Sequence, residues 1–548
     1  MYHEAMYTNK LINSQLDKHM NMIHFFHLLQ YLPVSDHLFT LKQKKQRRKR
    51  MLLFKRFIRV TFVKKTMRLN DFHHPFFIGI AGTGMSAIAQ YLAGTGKFVS
   101  GSDRYFTPDE YNETREKLEK EGIGCFFQDG SGITAQTDLI IVSTAIEDTV
   151  YEVRKAKEMG IPVLKRSDVL ALISDSKKTI AVGGTSGKST VSAMIFDILE
   201  YAGFNPSIIS GAGLTTLIKK GKIGNAKAGS GELLVIEADE SDGSIVKYHP
   251  HTGVLLNIDK DHQEIDELMR LFSTFRDNTR SRFITNRSNA LAGTLSVDAA
   301  NDFEDSDNSN VLYNESPEPV GIITNKAKDT ARAGFSGTHF RQEGFTIQFD
   351  INAQPFTMNS PGRHTMENAL AAVAAVQPLG VSLEHCAAAL AVYEGIYRRH
   401  QLIAEKNGIS IVDDYAHNPA KCAASIRACQ PIAPRVIAWF QPHGYGPTRF
   451  LRPDFVKELA AALRDEDELW MSEIFYAGGT AVKDISANDL ITDIQQLGKN
   501  AFFEEDREKL AERLKSRITS PCVVLLMGAR DPGLEAFAQR FSHSLLTD

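Results

Sequence analysis

An α/β protein of three domains, with Rossmann-like domains at both ends and a central P-loop domain, is predicted by three stretches of this 548-residue sequence. The first is Ala181-Val-Gly-Gly-Thr-Ser-Gly-Lys-Ser-Thr190, which sets a glycine turn, a lysine and hydroxyl side chains between an apolar strand and an amphipathic helix. The second is Phe76-Phe-Ile-Gly-Ile-Ala-Gly-Thr-Gly-Met85, again strand, glycine turn and helix. The third is the alternation of short apolar strands with helical stretches beyond residue 396. The length, at 43% hydrophobic residues, exceeds one ordinary core, and about 150 residues per domain suggests three or four. The expected divisions are a basic extension over 1–66 and domains over 67–176, 177–395 and 396–548.

Charge and cysteine content narrow the class. Residues 1–66 hold 14 Lys and Arg against 3 acidic residues, an excess of 11, so the net charge of −3 leaves −14 on the other 482 residues. The whole chain therefore has no global attraction to nucleic acid or membrane. Lys42-Gln-Lys-Lys-Gln-Arg-Arg-Lys-Arg50 and Met51-Leu-Leu-Phe-Lys-Arg-Phe-Ile-Arg59 have the make-up of a membrane-surface or nucleic-acid segment. Because Met67 immediately precedes the first folded pattern, 1–66 is expected to be an extension outside the working enzyme, disordered or not native. Cys125, Cys386, Cys422, Cys429 and Cys522 are odd in number and lack C-x-x-C spacing, which argues against a disulfide framework or structural zinc and favours a reducing cytoplasm. No apolar run has the length of a membrane span, so no stable membrane insertion is expected.

In the N-terminal domain, Gly79, Gly82 and Gly84 form the turn after the first strand, and Phe98-Val-Ser-Gly-Ser-Asp103 ends in a carboxylate 19 residues after Gly84, where such folds meet a ribose. Asp138-Leu-Ile-Ile-Val-Ser-Thr-Ala145 and Ile161-Pro-Val-Leu164 read as further parallel strands.

The P-loop follows the strand Thr179-Ile-Ala-Val182. Gly183, Gly184 and Gly187 free the backbone to turn its N–H groups towards an anion, and the helix beginning there points its N-terminal dipole at the same spot. Lys188 is placed to lie along the β and γ phosphates of a nucleotide and the Ser189 hydroxyl to hold Mg²⁺. The full G-x-x-x-x-G-K-[ST] pattern is broken by Val182. Glu232-Leu-Leu-Val-Ile-Glu237 runs into Glu237-Ala-Asp-Glu-Ser-Asp242, and Gly253-Val-Leu-Leu-Asn257 into Ile258-Asp-Lys-Asp-His262. Both strand tips fall at the carboxyl edge of the sheet, where a carboxylate and a neutral imidazole can hold Mg²⁺ against phosphate oxygens. The acidic run from 301 to 319 is expected to be a surface insertion, and Gly362-Arg-His-Thr-Met-Glu-Asn-Ala369 to open a long helix.

Together with Arg398-Arg399, Asp413-Asp-Tyr-Ala-His-Asn-Pro419 and Phe440-Gln-Pro-His443, these motifs resemble the Mur ligases of peptidoglycan synthesis, over roughly residues 75–540. The resemblance is strongest to the alanine-adding branch. It implies that ATP is bound by Gly184, Thr185, Ser186, Gly187, Lys188, Ser189, Thr190 and Asn368, with Arg399 and Asp414 reaching in from the third domain. It implies Mg²⁺ at Ser189 and Glu237 with a second ion at His262, and catalysis by Lys188, Glu237, His262 and Arg399. Gly82, Gly84 and Asp103 would line the site for UDP-N-acetylmuramate, and His417, His443 and Arg449 would face the incoming amino acid. The implied reaction makes an acyl phosphate from the sugar's carboxylate, which the amine then displaces. A monomer or homodimer is expected.

Three departures stand out. Thr365 occupies a position where the family commonly has asparagine, and 263–280 lack a lysine to be carbamylated. Where alanine-adding members read Arg-Tyr-Thr-Arg-Thr-Arg after Phe-Gln-Pro-His, this chain reads Gly444-Tyr-Gly-Pro-Thr-Arg449, so Gly444 and Pro447 replace the two arginines that grip the amino-acid carboxylate. A recycling ligase that adds a preformed murein peptide is the near alternative. A nicotinamide oxidoreductase leaves Lys188 unexplained, and a binding protein led by the basic tail leaves the P-loop unexplained.

Overall fold

Four sheets carry the architecture of this computed structural model, which describes residues 67–143, 146–147, 149–260, 263–307, 332–476 and 482–546. The basic extension, His262 and most of the expected acidic insertion lie outside the described residues.

The first sheet has the order β3-β2-β1-β4-β5, with β1 Pro75–Ile78, β2 Ser100–Asp103, β3 Gly124–Phe127, β4 Leu139–Val142 and β5 Val163–Lys165, all parallel. Strands β1 and β4 read as unbroken apolar runs because helices cover both faces, among them α1 Thr83–Gly94, α2 Glu113–Lys120 and α3 Tyr151–Glu158. Helix α4, Arg166–Asp175, leads into the next sheet.

That second sheet, β11-β10-β6-β9-β7-β8, places β6 Lys178–Gly183 between β9 Leu233–Glu237 and β10 Thr252–Leu255. β7 Ser207–Ile209 and β11 Arg282–Thr285 continue it in parallel, and only the two-residue β8, Ala226–Lys227, runs antiparallel. The parallel register puts the carboxyl ends of β6, β9 and β10 side by side, with Val182 opposite Glu237 and Gly183 opposite Leu255. Helix α5, Lys188–Tyr201, starts at that edge, and α6, Ile265–Asn278, covers another part of the sheet.

The expected surface insertion begins instead with a buried strand. β12 Phe303–Asp305 pairs in parallel with β13 Phe335–Glu343, and β14 Thr346–Ile351 and β15 Gln354–Met358 complete a small sheet. Phe303 is buried, Asp302 accepts from Thr285 N at 2.8 Å, and Arg363 clasps both oxygens of Asp305 at 2.5 and 2.6 Å. These acidic side chains are satisfied inside the protein, which composition alone does not signal. Helix α7, Arg363–Val376, is buried nearly all round, and its alanines allow close approach to α5 and to α8, Leu383–Ala391.

The last sheet, β16-β17-β21-β18-β19-β20, comprises β16 Gln401–Lys406, β17 Ile409–Asp414, β18 Val436–Gln441, β19 Glu468–Met471, β20 Ala501–Phe503 and β21 Cys522–Gly528. It is parallel apart from β16. It is flanked by α9 Pro419–Cys429, α10 Tyr445–Phe450, α11 Arg452–Ala462, α12 Ala487–Gln496, α13 Leu510–Lys515 and α14 Leu534–Leu546.

Two sets of contacts set the sheets against one another. Asn225, fully buried, donates to Thr83 O and Ser86 Oγ and accepts from Gln90 Nε2 at 2.7 Å, which ties α1 to the P-loop sheet. Before the last sheet, Ile396 bridges Leu214 and Tyr397 N donates to Gly213 O. Beyond them Arg398 (φ +55°) and His400 (φ +44°) take left-handed conformations that ordinary side chains avoid. Arg398 is held there by Asp413 at 2.8 and 3.2 Å and by Gly528 O.

Candidate active site

A cavity of about 400 Å³ opens between the P-loop and the carboxyl edge of the last sheet. Thr185 through Thr190, Asp239, Glu240 and Asp259 line one side, His364, Glu367 and Asn368 of α7 a second, and Arg399, Asp414, His417 and Lys421 a third. The loop turns into it through Gly187 (φ +87°), which caps α5 and where a Cβ would meet Asn368 Oδ1 at 2.7 Å. A residue not singled out from sequence fixes the loop's shape. Asn257, at the tip of β10, accepts from Ser186 N at 2.8 Å and from Thr185 Oγ1 at 2.9 Å, and donates to Ser186 O. Its signal was its place beyond a strand neighbouring the P-loop.

Lys188 Nζ donates to Gly184 O at 2.7 Å and to both oxygens of Glu240 at 2.7 and 3.0 Å. Burial alone would lower the lysine's pKa, but Glu240 and Asp239 outweigh it and hold the ammonium charged. Ser189 Oγ donates to Glu237 at 3.0 Å, and the same carboxylate accepts from Ser210 Oγ and Gly211 N, both at 2.6 Å. A hydroxyl beside a carboxylate at a phosphate loop is the hard-oxygen donor set that Mg²⁺ takes, with water and phosphate completing the shell. Among the described residues no group of three or more His, Cys, Asp or Glu forms a protein-only cage.

The opposite wall is electrostatically set. Burial would raise Asp414, but His400, 2.9 Å away, and Arg399 hold its carboxyl far below the usual range. His364 is pushed down to about 3 by burial and by neighbouring His400, 5.2 Å between ring centroids, so its imidazole is neutral. Glu367 is pushed up to about 7 by burial and by Asp305.

Of the residues singled out from sequence, Thr185, Ser186, Gly187, Lys188, Ser189, Thr190, Asn368, Arg399, Asp414 and His417 meet in this cavity, with Gly184 and Glu237 bonded to its lining. The His443 ring lies tilted against that of His417, 5.6 Å between centroids, and the two share a smaller concavity that includes Pro447. Gly82, Gly84 and Asp103 belong to the first sheet's edge. There Asp103 braces the glycine turn with one oxygen, which accepts from Ala81 N at 2.9 Å, and accepts from Tyr105 N at 3.1 Å with the other, while Arg166 packs on Gly84 and pairs with Asp242 at 3.3 Å. Arg449 is turned outwards, half exposed, to Asp484 at 2.9 Å.

Three segments match families described as the Mur ligase family, catalytic domain (residues 74–178), the Mur ligase middle domain (182–376) and the Mur ligase, glutamate ligase domain (398–530). The UDP-N-acetylmuramate–L-alanine ligase of Carboxydothermus hydrogenoformans is 34% identical over 470 residues, covering 83% of this chain and 93% of that protein. That of Geobacter sulfurreducens is 34% identical over 463 residues, covering 83% and 94%. In fold, the UDP-N-acetylmuramate-alanine ligase of Thermotoga maritima superposes with a TM-score of 0.66 at 23% identity, over 86% of this chain and 99% of that one. A murein peptide ligase from Psychrobacter arcticus gives 0.56 at 20% identity, over 86% and 98%. Family models matched in turn over all three segments, and relatives 34% identical over 83% of this chain, show that the chain belongs to the Mur ligase family.

Proposed function

We propose that this protein joins L-alanine to the carboxylate of UDP-N-acetylmuramate, using ATP and Mg²⁺, in the cytoplasmic assembly of a peptidoglycan precursor. The observation that carries this reading is the single cavity into which Lys188, Ser189, Arg399 and Asp414 all open. The loop's backbone N–H groups and Lys188 cradle the β and γ phosphates, and Arg399 and Asp414 engage the phosphate and ribose of the same nucleotide. Ser189 and Glu237 hold the cation, with His262 as the expected ligand of a second one. Bound Mg²⁺ neutralises charge spread over the transferring phosphoryl group. Gly82, Gly84 and the turn braced by Asp103 receive the UDP portion.

Atom by atom, the sugar carboxylate attacks the γ phosphorus and ADP leaves, giving an acyl phosphate. The amine of alanine then adds to the acyl carbon, and phosphate departs as the amide forms. An acyl phosphate is lost to water unless the site is covered, so the last sheet's approach over the P-loop belongs to the reaction. Supporting the alanine-adding reading are relatives named for that activity at 32–34% identity. The test is phosphate release from ATP with UDP-N-acetylmuramate and, in turn, alanine, glycine, serine and a murein tripeptide. Release with alanine and not with tripeptide is expected. Release with tripeptide alone would assign the recycling reaction instead.

A further inference from the structure

The acceptor's carboxylate needs a cation, and Gly444 to Thr448, directly after His443, carry none. Gly444 has no side chain, Pro447 lines the small concavity, and Arg449 points away from it to a solvated pairing with Asp484 at 2.9 Å. Arg449 is also two residues from Pro447 on α10, a spacing that turns two helical side chains away from each other.

A cation reaches this helix from the facing domain. Lys260 follows Asp259, which lines the main cavity, and its Nζ lies 4.3 Å from the centroid of the Phe450 ring. Phe450 is three residues beyond Pro447 on α10, so the two share a face about 5–6 Å apart. The ammonium therefore lies over the face of α10 that carries Phe450 and, one turn earlier, Pro447. Its carboxylate neighbour, Glu264, is 3.8 Å away with 70% of its side chain exposed, a weak and solvated pairing that a buried carboxylate displaces. An ammonium over an aromatic face is aimed without being neutralised.

We propose that Lys260 of the central domain is the residue that receives the carboxylate of the incoming amino acid, supplying from across the cleft the cation that Gly444 and Pro447 do not. This rests on the ligase reading above. It makes acceptor recognition depend on closure, because the carboxylate would lie between Lys260 of one domain and the His417–His443 corner of the other. An acceptor that bridges the two thereby holds the site shut while the acyl phosphate reacts.

The test is a comparison of Lys260→Ala, Lys260→Gln and Lys260→Arg with the parent in steady-state kinetics, using L-alanine and L-alaninamide as acceptors. Loss of a charge-assisted hydrogen bond is expected to raise KM for L-alanine on the order of ten- to a hundredfold in Lys260→Ala and Lys260→Gln. Lys260→Arg is expected to recover most of this, and KM for ATP and for the UDP-sugar to stay put. With L-alaninamide, which has no carboxylate, parent and variants are expected to coincide. Equal losses with alanine and alaninamide, an unchanged KM for alanine, or a rise in that KM on Arg449→Ala but not on Lys260→Ala would overturn the proposal. Hydroxylamine trapping separates this from failure of the ligase reading. A hydroxamate formed from UDP-N-acetylmuramate and ATP without any amino acid reports the acyl phosphate, and its formation is expected at equal rates in parent and Lys260→Ala. Its absence from the parent would sink the ligase reading itself.

Discussion

Replacing Glu240 by glutamine probes the P-loop at its most charged contact. Lys188 Nζ lies 2.7 and 3.0 Å from the two Glu240 oxygens, with 17% and 7% of the respective side chains exposed. Removing one partner of such a sheltered pair costs about 3–5 kcal/mol when the other is left bare. Lys188 is not left bare, since Asp239 and Glu237 also act on it and glutamine keeps an oxygen at the same reach. The expected loss of stability without nucleotide is therefore about 1–2 kcal/mol. ATP reverses the balance, because its phosphates bring their own charge to the ammonium and meet the Glu240 carboxylate as a repulsion. Glu240→Gln is accordingly expected to bind ATP about five- to thirtyfold more tightly, that same 1–2 kcal/mol. Calorimetric titration with a non-hydrolysable ATP analogue, beside thermal melts with and without it, reads both effects. Weaker nucleotide binding in the variant, or an unaltered melt of the free protein, would refute the reasoning and make Glu240 part of the bound-state machinery.

Three further outcomes follow from other contacts. Arg398→Ala leaves Asp413 buried without its cation and is expected to destabilise the protein by about 3–5 kcal/mol in urea unfolding; an unaltered midpoint would mean that the pair is dispensable. Asn257→Ala removes the bonds that shape the loop at Thr185 and Ser186 and is expected to raise KM for ATP about tenfold, with little change in KM for the amino acid. Asp197 is pushed up to about 7 by burial and by Glu200 and Glu394, so its contribution is intact below the ordinary carboxylate pKa and is lost as pH rises to about 7. Asp197→Asn cannot ionise, so melts should show it more stable than the parent by on the order of 2–4 kcal/mol at pH 8 and hardly different at pH 4; an equal gap at both values would contradict the assignment.

What was legible in the sequence was local. The P-loop could be read because strand, glycines, Lys188 and helix lie within a couple of dozen residues, and each acts on its immediate neighbours. The strands ending at Glu237 and near Asn257 announced themselves as apolar runs, and parallel pairing with β6 then placed their tips beside the loop. What sequence did not disclose depends on long-range partners. Glu240 reads as one of several carboxylates in a solvated run until Lys188, 52 positions earlier, is seen to hold it. Asp302 and Asp305 look like a surface insertion until Thr285 and Arg363 satisfy them indoors. Asp103 sits at the spacing of a ribose ligand, and its oxygens also accept from Ala81 and Tyr105 N–H groups, contacts that the spacing does not signal. Arg449 was the remaining arginine of its segment, but helical geometry turns it to Asp484.

The account stands on Lys188 as the group that receives the terminal phosphates of ATP. Phosphate release dependent on both UDP-N-acetylmuramate and L-alanine, measured for Lys188→Ala against the parent at saturating substrates, tests this most directly. A fall on the order of a hundred- to a thousandfold, with the variant still folded by its melting profile, is the expected result. A variant that couples the two substrates at the parent's rate would contradict it.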